Sequence, residues 1–456
     1  MVQGGHAGHV VILMLAISLH AMDVFVIATI LPTLVADIGG AAFYTWPTML
    51  YMVASIVGAS SGGLIRVRFG MRAAPVLAAA IYLLGALTAA AAPRIEVLLV
   101  GRAIQGLGGG MLVALSYTMI NQLFAAELRP RVLALVSVVW GVAALIGPLI
   151  GGGFAQLGYW RGAFLIFTPV LCLLALLAWR TLPRATATAG VAPALPWRRL
   201  ALLGAGVLAV AYSGQIDAAI GRIALVVLAV GLVALFLNRD GRAENRLLPT
   251  KPVSLMHPVG TAYWIFFLFG LTYSPIGVFM PLLAQQLQGL SPFAAGYVQA
   301  TMAIGWSLTA IIIAGAGLGW QRALVVVGPV ILLIAIIGQS QTISTGPLAL
   351  LVVFIFLTGA GVGLSHAHIS NWAMTLSRAD EGNLTAASIP MVQSLGIAFG
   401  AAAGGLIANA AGLDAGLDRL TVAEAARWIY GFCVVPPLIA VALGLRLRVL
   451  QARFAT

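Results

Sequence analysis

The sequence predicts an all-α polytopic membrane protein with fourteen transmembrane helices, on three observations. Only 24 basic and 12 acidic residues occur in 456, a charged fraction of 8%, against about 25% in a soluble domain. Hydrophobic types supply 61% of the chain, which leaves too little polar surface for a soluble fold and too much apolar content for disorder. Uniformly apolar stretches recur at the length of a bilayer-crossing helix, about 20 residues. They do not alternate apolar and polar residues, which disfavours an outer-membrane barrel.

The spans follow in order, and the basic residues punctuate them. Span 1 (10–35) runs too long for the apolar region of a cleavable signal. Span 2 (45–65) is followed by Arg66, Arg68 and Arg72, and span 3 (73–92) by Arg94 alone. Span 4 (96–122) leads to Arg129 and Arg131, and span 5 (131–155) leads to Arg161. After span 6 (161–180) come Arg180, Arg184, Arg198 and Arg199. Spans 7 (199–216) and 8 (218–237) enclose Arg222, and Arg239, Arg242, Arg246 and Lys251 precede span 9 (260–285). Arg322 separates spans 10 (293–316) and 11 (323–340). Arg378 separates spans 12 (346–373) and 13 (386–409). Arg419 and Arg427 precede span 14 (427–446), and Arg446, Arg448 and Arg453 close the chain. Pro and Gly inside several spans are tolerated in membrane helices. With the N-terminus inside, eighteen basic residues fall on the cytoplasmic side and five outside, with Arg102 inside a span. That asymmetry follows the positive-inside rule and calls for an even span count. Both termini are expected in the cytoplasm, in a bacterial inner membrane.

The net charge of +12 is therefore a topology signal spread over short loops. It is not a nucleic-acid patch, and no nucleic-acid partner is expected. Cys172 and Cys433 both lie in apolar stretches, where reduced structural thiols are expected.

The chain also repeats itself. Gly-Leu-Gly-Gly-Gly at 106–110 matches Gly-Ala-Gly-Val-Gly at 359–363, and Gly147, Gly151 and Gly152 map onto Gly400, Gly404 and Gly405 at the same offset of 253. "ILPTLVADIGG" resembles "FMPLLAQQLQG" at an offset of 249 between Pro32 and Pro281. Ordered landmarks at nearly one offset point to a duplicated six-span unit. The expected organisation is a six-helix half over 1–190, an inserted two-helix hairpin over 191–245 (spans 7–8), and a second six-helix half over 246–456. Two such parallel halves are one design for a rocker transporter with its site near the bilayer midplane.

Four motifs narrow the reading. Span 1 reads "MDVFVIATILPTLVADIG", span 4 "GRAIQGLGGG", span 5 "WGVAALIGPLIGGG", and the connection after span 2 "GGLIRVRFGMR". Together they resemble the major facilitator superfamily, and within it the fourteen-helix drug:proton antiporter branch. The resemblance implies the major facilitator fold, proton-coupled export, and a role for Arg102 in assisting proton transfer. It also marks Gly141, Gly147, Pro148, Gly151 and Gly152 as the span-5 motif associated with exporters. Physically, those glycines permit close helix approach, and the proline removes a backbone hydrogen bond. The chain departs from the pattern in two places. Phe25 and Ala28 stand where the branch carries Thr and Asn. In the loop motif, Val67 stands at the position of a gate-latching Asp, with Gly63 and Gly70 at the two glycine positions and Arg66, Arg68 and Arg72 around it.

Asp23 needs no family to single it out. A carboxylate at mid-bilayer depth is rare and faces a cavity or a partner. A group neutral when buried and ionised when wet carries one proton per cycle. The competing reading is a structural helix–helix hydrogen bond. His20 lies three residues earlier on the same face and reads first as packing. Arg102 and Gln105 are likewise three apart, and Arg102 otherwise reads as snorkelling to the interface. Counted from the span ends by helix rise, Arg102 lies about 9 Å and Asp23 about 20 Å below the outer surface. That separation lets them share a water-filled cavity without touching. Substrate-cavity candidates are Gln105, Tyr117, Trp140, Tyr273, Trp306, His366, Asn371 and Gln393. His366 and His368, two apart, do not suit a metal, and no metal or cofactor is expected; the proton gradient supplies the energy.

The expected function is a proton-coupled, monomeric exporter of lipophilic drug-like compounds or toxic metabolites, working by alternating access. The alternative is a carrier of one physiological solute, with import open to it. The longest loops carry no paired carboxylates and no Ser/His/Asp set, so an enzyme is not expected.

Overall fold

The computed structural model describes residues 7–124, 129–183 and 194–454, which form helices and no strand. Arg184 and the expected boundary at 190 lie outside these residues. In order come α1 (Ala7–Ile38), α2 (Trp46–Ala90), α3 (Ile95–Leu123), α4 (Arg129–Gln156), α5 (Gly162–Leu165), α6 (Phe167–Thr181) and α7 (Trp197–Ser213). They are followed by α8 (Ala219–Gly241), α9 (Pro258–Gln288), α10 (Pro292–Ile312), α11 (Leu318–Thr342), α12 (Leu348–Thr375), α13 (Gly382–Ala410) and α14 (Arg419–Phe454).

Among the described residues, 12 helical stretches are long and apolar enough to cross a membrane. Two local features reduce the fourteen expected spans to this number. Spans 2 and 3 run together in α2, with no loop between them. The chain turns at Gly70, at φ 82° and ψ 171°, a region open essentially to glycine alone. α7 is short, at 17 residues.

The chain divides into two compact units, one of residues 1–40 and 46–200, the other of residues 41–45 and 201–456. In the first unit, Ile12, Leu13 and Ile17 of α1 pack with Met119 and Ile120 of α3, Val132 and Val136 of α4, and Ala178 of α6. Membrane helices associate through close van der Waals contact, which small residues permit. A Cβ on Gly108 would meet Tyr82 Cα at 2.8 Å, so α3 lies backbone to backbone with the second half of α2.

The second unit repeats these contacts at corresponding residues. Gly106 and Gly110 lie against Tyr51 and Ser55, as Gly359 and Gly363 lie against Met302 and Trp306. Gly108 faces Tyr82, as Gly361 faces Leu332. Gly147 lies on Met22 and Phe25, and Gly400 on Leu271 and Ser274. The sequence repeat is thus a repeat of helix-packing contacts. In this unit α9 is the most enclosed helix, whereas α8 leaves Ile220, Ile223, Val227 and Val230 exposed. Residues 41–45 belong here as well: the Ala42 carbonyl accepts from Gln215 Nε2 at 2.7 Å and Asn409 Nδ2 at 2.8 Å, and Tyr44 stacks on Phe279.

Candidate functional site

The first unit holds a buried charge cluster built from α1, α2 and α3. Asp23 sits in an apolar run of α1, and its side-chain donors come from a neighbouring helix. Arg102 and Gln105, one turn apart on α3, supply the donors. Arg102 Nη1 donates to Asp23 Oδ1 and Nη2 to Oδ2, each at 2.7 Å. Both side chains are 1% exposed. This fork-to-fork pairing is the strong form of the interaction. Gln105 closes a triangle, accepting from Arg102 Nη1 at 2.7 Å and donating from Nε2 to Asp23 Oδ1 at 2.9 Å. The remaining guanidinium edge donates from Nε to the Pro47 carbonyl at 3.2 Å, and its face lies 4.5 Å from the Tyr51 ring centroid.

Direct contact between Asp23 and Arg102 corrects the expectation that they share a cavity without touching. The span ends used as depth markers are not level. Arg161 bonds both Asp37 of α1 and the Ala92 carbonyl just before α3, which puts those two residues at one height. From that level, helix rise places Asp23 about 21 Å down and Arg102 about 15 Å down. An arginine side chain spans the remaining difference.

His20, one turn before Asp23, bonds Tyr51 Oη through Nδ1 at 2.8 Å, and its ring meets Trp140 edge-on at 6.1 Å. Tyr51 therefore touches both His20 and Arg102. Sequence reasoning did not place this tyrosine in the site. The Pro47 carbonyl, a backbone group, left no residue-type signal at all.

The other expected residues fall into two groups. In the second unit, Tyr273 of α9, Trp306 of α10, His366 of α12 and Gln393 of α13 come together. Tyr273 and Trp306 centroids are 6.0 Å apart, Trp306 and His366 5.4 Å, and Gln393 Nε2 hydrogen-bonds His366 Nε2. Phe266, which the sequence did not mark, joins them at 5.1 Å from His366. Asn371 does not; it lies exposed more than a turn further along α12, its carbonyl accepting from Thr375. In the first unit, Gln105 is fully buried inside the ion-pair triangle and lines no open space. Tyr117 is 42% and Trp140 37% exposed.

The packing residues also divide. Gly147 lies against Phe25, and Gly151 against Val26 and Thr29, which holds α4 on the turn of α1 just after Asp23. Pro148 lies between them inside α4, and Gly152 is buried. Gly141 corrects the expectation of a packing glycine, because nothing lies within 4 Å of a Cβ there. Arg66 and Arg68 ride on the turns of α2 before Gly70. Arg72, just past it, donates from Nε to the Leu182 carbonyl at 3.2 Å and lies over Trp179.

The sequence profile of the Major Facilitator Superfamily matches residues 13–381. The chain belongs to this superfamily. Two relatives from Mycobacterium tuberculosis strains, each described as a probable multidrug-efflux transporter, are 33% identical over 426 residues, 89% of this chain and 88% of theirs. Multidrug resistance protein 3 of Bacillus subtilis is 26% identical over 77% of this chain and 70% of its own length. The fold also resembles a POT family transporter in complex with 5-aminolevulinic acid, at a TM-score of 0.69 and 12% identity over 98% of this chain and 96% of that one. The xylose transporter XylE from E. coli gives a TM-score of 0.62 at 14% identity, over 95% and 96% of the two chains. As a major facilitator protein, the chain is a multi-pass membrane transporter of small molecules, not an enzyme.

Proposed function

We propose that the protein is a proton-coupled exporter of lipophilic, drug-like compounds or toxic metabolites in a bacterial plasma membrane, with both termini cytoplasmic and Asp23 as the proton carrier. The observation that carries the reading is the buried Asp23–Arg102–Gln105 triangle. With Asp23 ionised, the pair is complete. A proton on Asp23 leaves Arg102 a buried cation, held only by Gln105, the Pro47 carbonyl and the Tyr51 face. Removing one partner of a buried pair costs about 3–5 kcal/mol, enough to favour an arrangement in which Arg102 meets water. Loss of the proton on the cytoplasmic side restores the pair. One charge crossing 100 mV supplies about 2.3 kcal/mol, so a single carboxylate supports modest pumping unless a pH gradient adds to it. Relatives named as probable multidrug-efflux transporters and the Gly147-Pro148 segment of α4 support export.

The test is proton movement in proteoliposomes. Substrate added to the wild-type protein should move protons across the membrane, and Asp23→Asn should abolish that movement. Undiminished movement in Asp23→Asn overturns the carrier assignment. Cells lacking the protein should retain more lipophilic drug across a susceptibility panel; an unchanged panel favours a carrier of one physiological solute.

A further inference from the structure

The charge inventory of the spans restricts what the protein can carry. Asp23 is the only carboxylate set deep in a helix among the described residues, and both its oxygens are taken by Arg102. The other described acidic residues sit at helix ends or in connections. Glu424, the furthest of these into a helix, accepts from Arg427 and Trp428, and the buried Asp240 accepts from the Leu247 and Leu248 amides. Among the described residues, a lipophilic cation entering the spans finds no free counter-charge unless it dismantles the Asp23 pair.

The second unit offers a different chemistry. Tyr273, Trp306, His366 and Gln393 are each half-buried, so ring and amide surface remains available around the chain of contacts that links them. The polar groups among them are neutral hydrogen-bonding groups. The Gln393 amide meets His366 at Nε2, which leaves Gln393 Oε1 open as an acceptor. No partner within the described residues bonds the Tyr273 hydroxyl. Ring faces attract cations, but that attraction is small beside the penalty of stripping an ion of water with no counter-charge.

We infer that this cluster of the second unit binds an uncharged planar aromatic ligand bearing a hydrogen-bond donor or acceptor, and that the protein discriminates against permanently cationic analogues of the same shape. The transport consequence rests on the exporter reading; the binding does not.

The test uses the full-length protein in nanodiscs and two probes of one shape, phenanthridine and N-methylphenanthridinium, with calorimetric titration. Phenanthridine should bind at least about tenfold more tightly than the methylated cation. Trp306→Ala and Gln393→Ala should each weaken phenanthridine binding about tenfold at an unchanged melting temperature, and Trp306→Phe should restore most of it. Equal affinity for the two probes overturns the inference, as does phenanthridine binding untouched by either variant. Selective binding without phenanthridine uptake into inside-out vesicles would leave the site standing and overturn the exporter reading.

Discussion

At the scale of single residues, the Asp23–Arg102 pair makes a prediction about stability that is separate from transport. Each partner is 1% exposed, so neutralising one strands the other. Asp23→Asn or Arg102→Gln alone should destabilise the protein by about 3–5 kcal/mol, read from thermal or denaturant unfolding of the purified protein. The double variant should be more stable than either single one, because it leaves two neutral amides beside Gln105. Additive losses would mean that the two charges do not act as a pair. The identity of both residues was legible in the sequence, because an ionised group inside an apolar span is rare. Their contact was not legible, since depth counted along each helix assumes level span ends, and only Arg161 bridging Asp37 and Ala92 reveals the true offset.

At the scale of elements, glycines that look alike in sequence do different work. Gly70 occupies a backbone region that other residues reach only with strain, so Gly70→Ala should cost about 1–3 kcal/mol and disturb the turn that seats Arg72 on the end of α6. Gly151 lies against Val26 and Thr29 of α1, whereas Gly141 faces open space. Gly151→Val should therefore lower both melting temperature and transport, and Gly141→Ala should leave both unchanged. A loss at Gly141 equal to that at Gly151 would refute the packing assignment. The span-5 motif named the stretch, but the side of α4 that meets α1 depends on helix rotation, which a glycine pattern alone does not set. The connection after span 2 was misread for a related reason. Three arginines marked it as a polar loop, while a single glycine in an unusual conformation makes the whole turn.

At the scale of the whole molecule, an even number of spans and eighteen inward basic residues predict that both ends of the chain face the cytoplasm. Epitope tags at the two termini should be protected in intact spheroplasts and accessible in inside-out vesicles. One tag exposed in spheroplasts would mean an odd number of crossings. The duplication was visible as glycine landmarks, and it reappears as matching helix contacts in the two units. Gly147 on Met22 and Phe25 and Gly400 on Leu271 and Ser274 are one contact made twice.

The sequence by itself determined the membrane character, the order of the helices, the repeat, and the two charged residues worth following. These rest on composition and periodicity, which water and lipid read locally along the chain. Only the tertiary structure decided that Asp23 and Arg102 form a closed pair, that Tyr51 links that pair to His20, and that Gln105 belongs to it instead of to a cavity. It also gathered Phe266, Tyr273, Trp306, His366 and Gln393 from four helices into one cluster and left Asn371 outside. Those outcomes depend on relative height and rotation between helices, quantities set by backbone-to-backbone packing at glycines and invisible in any single span.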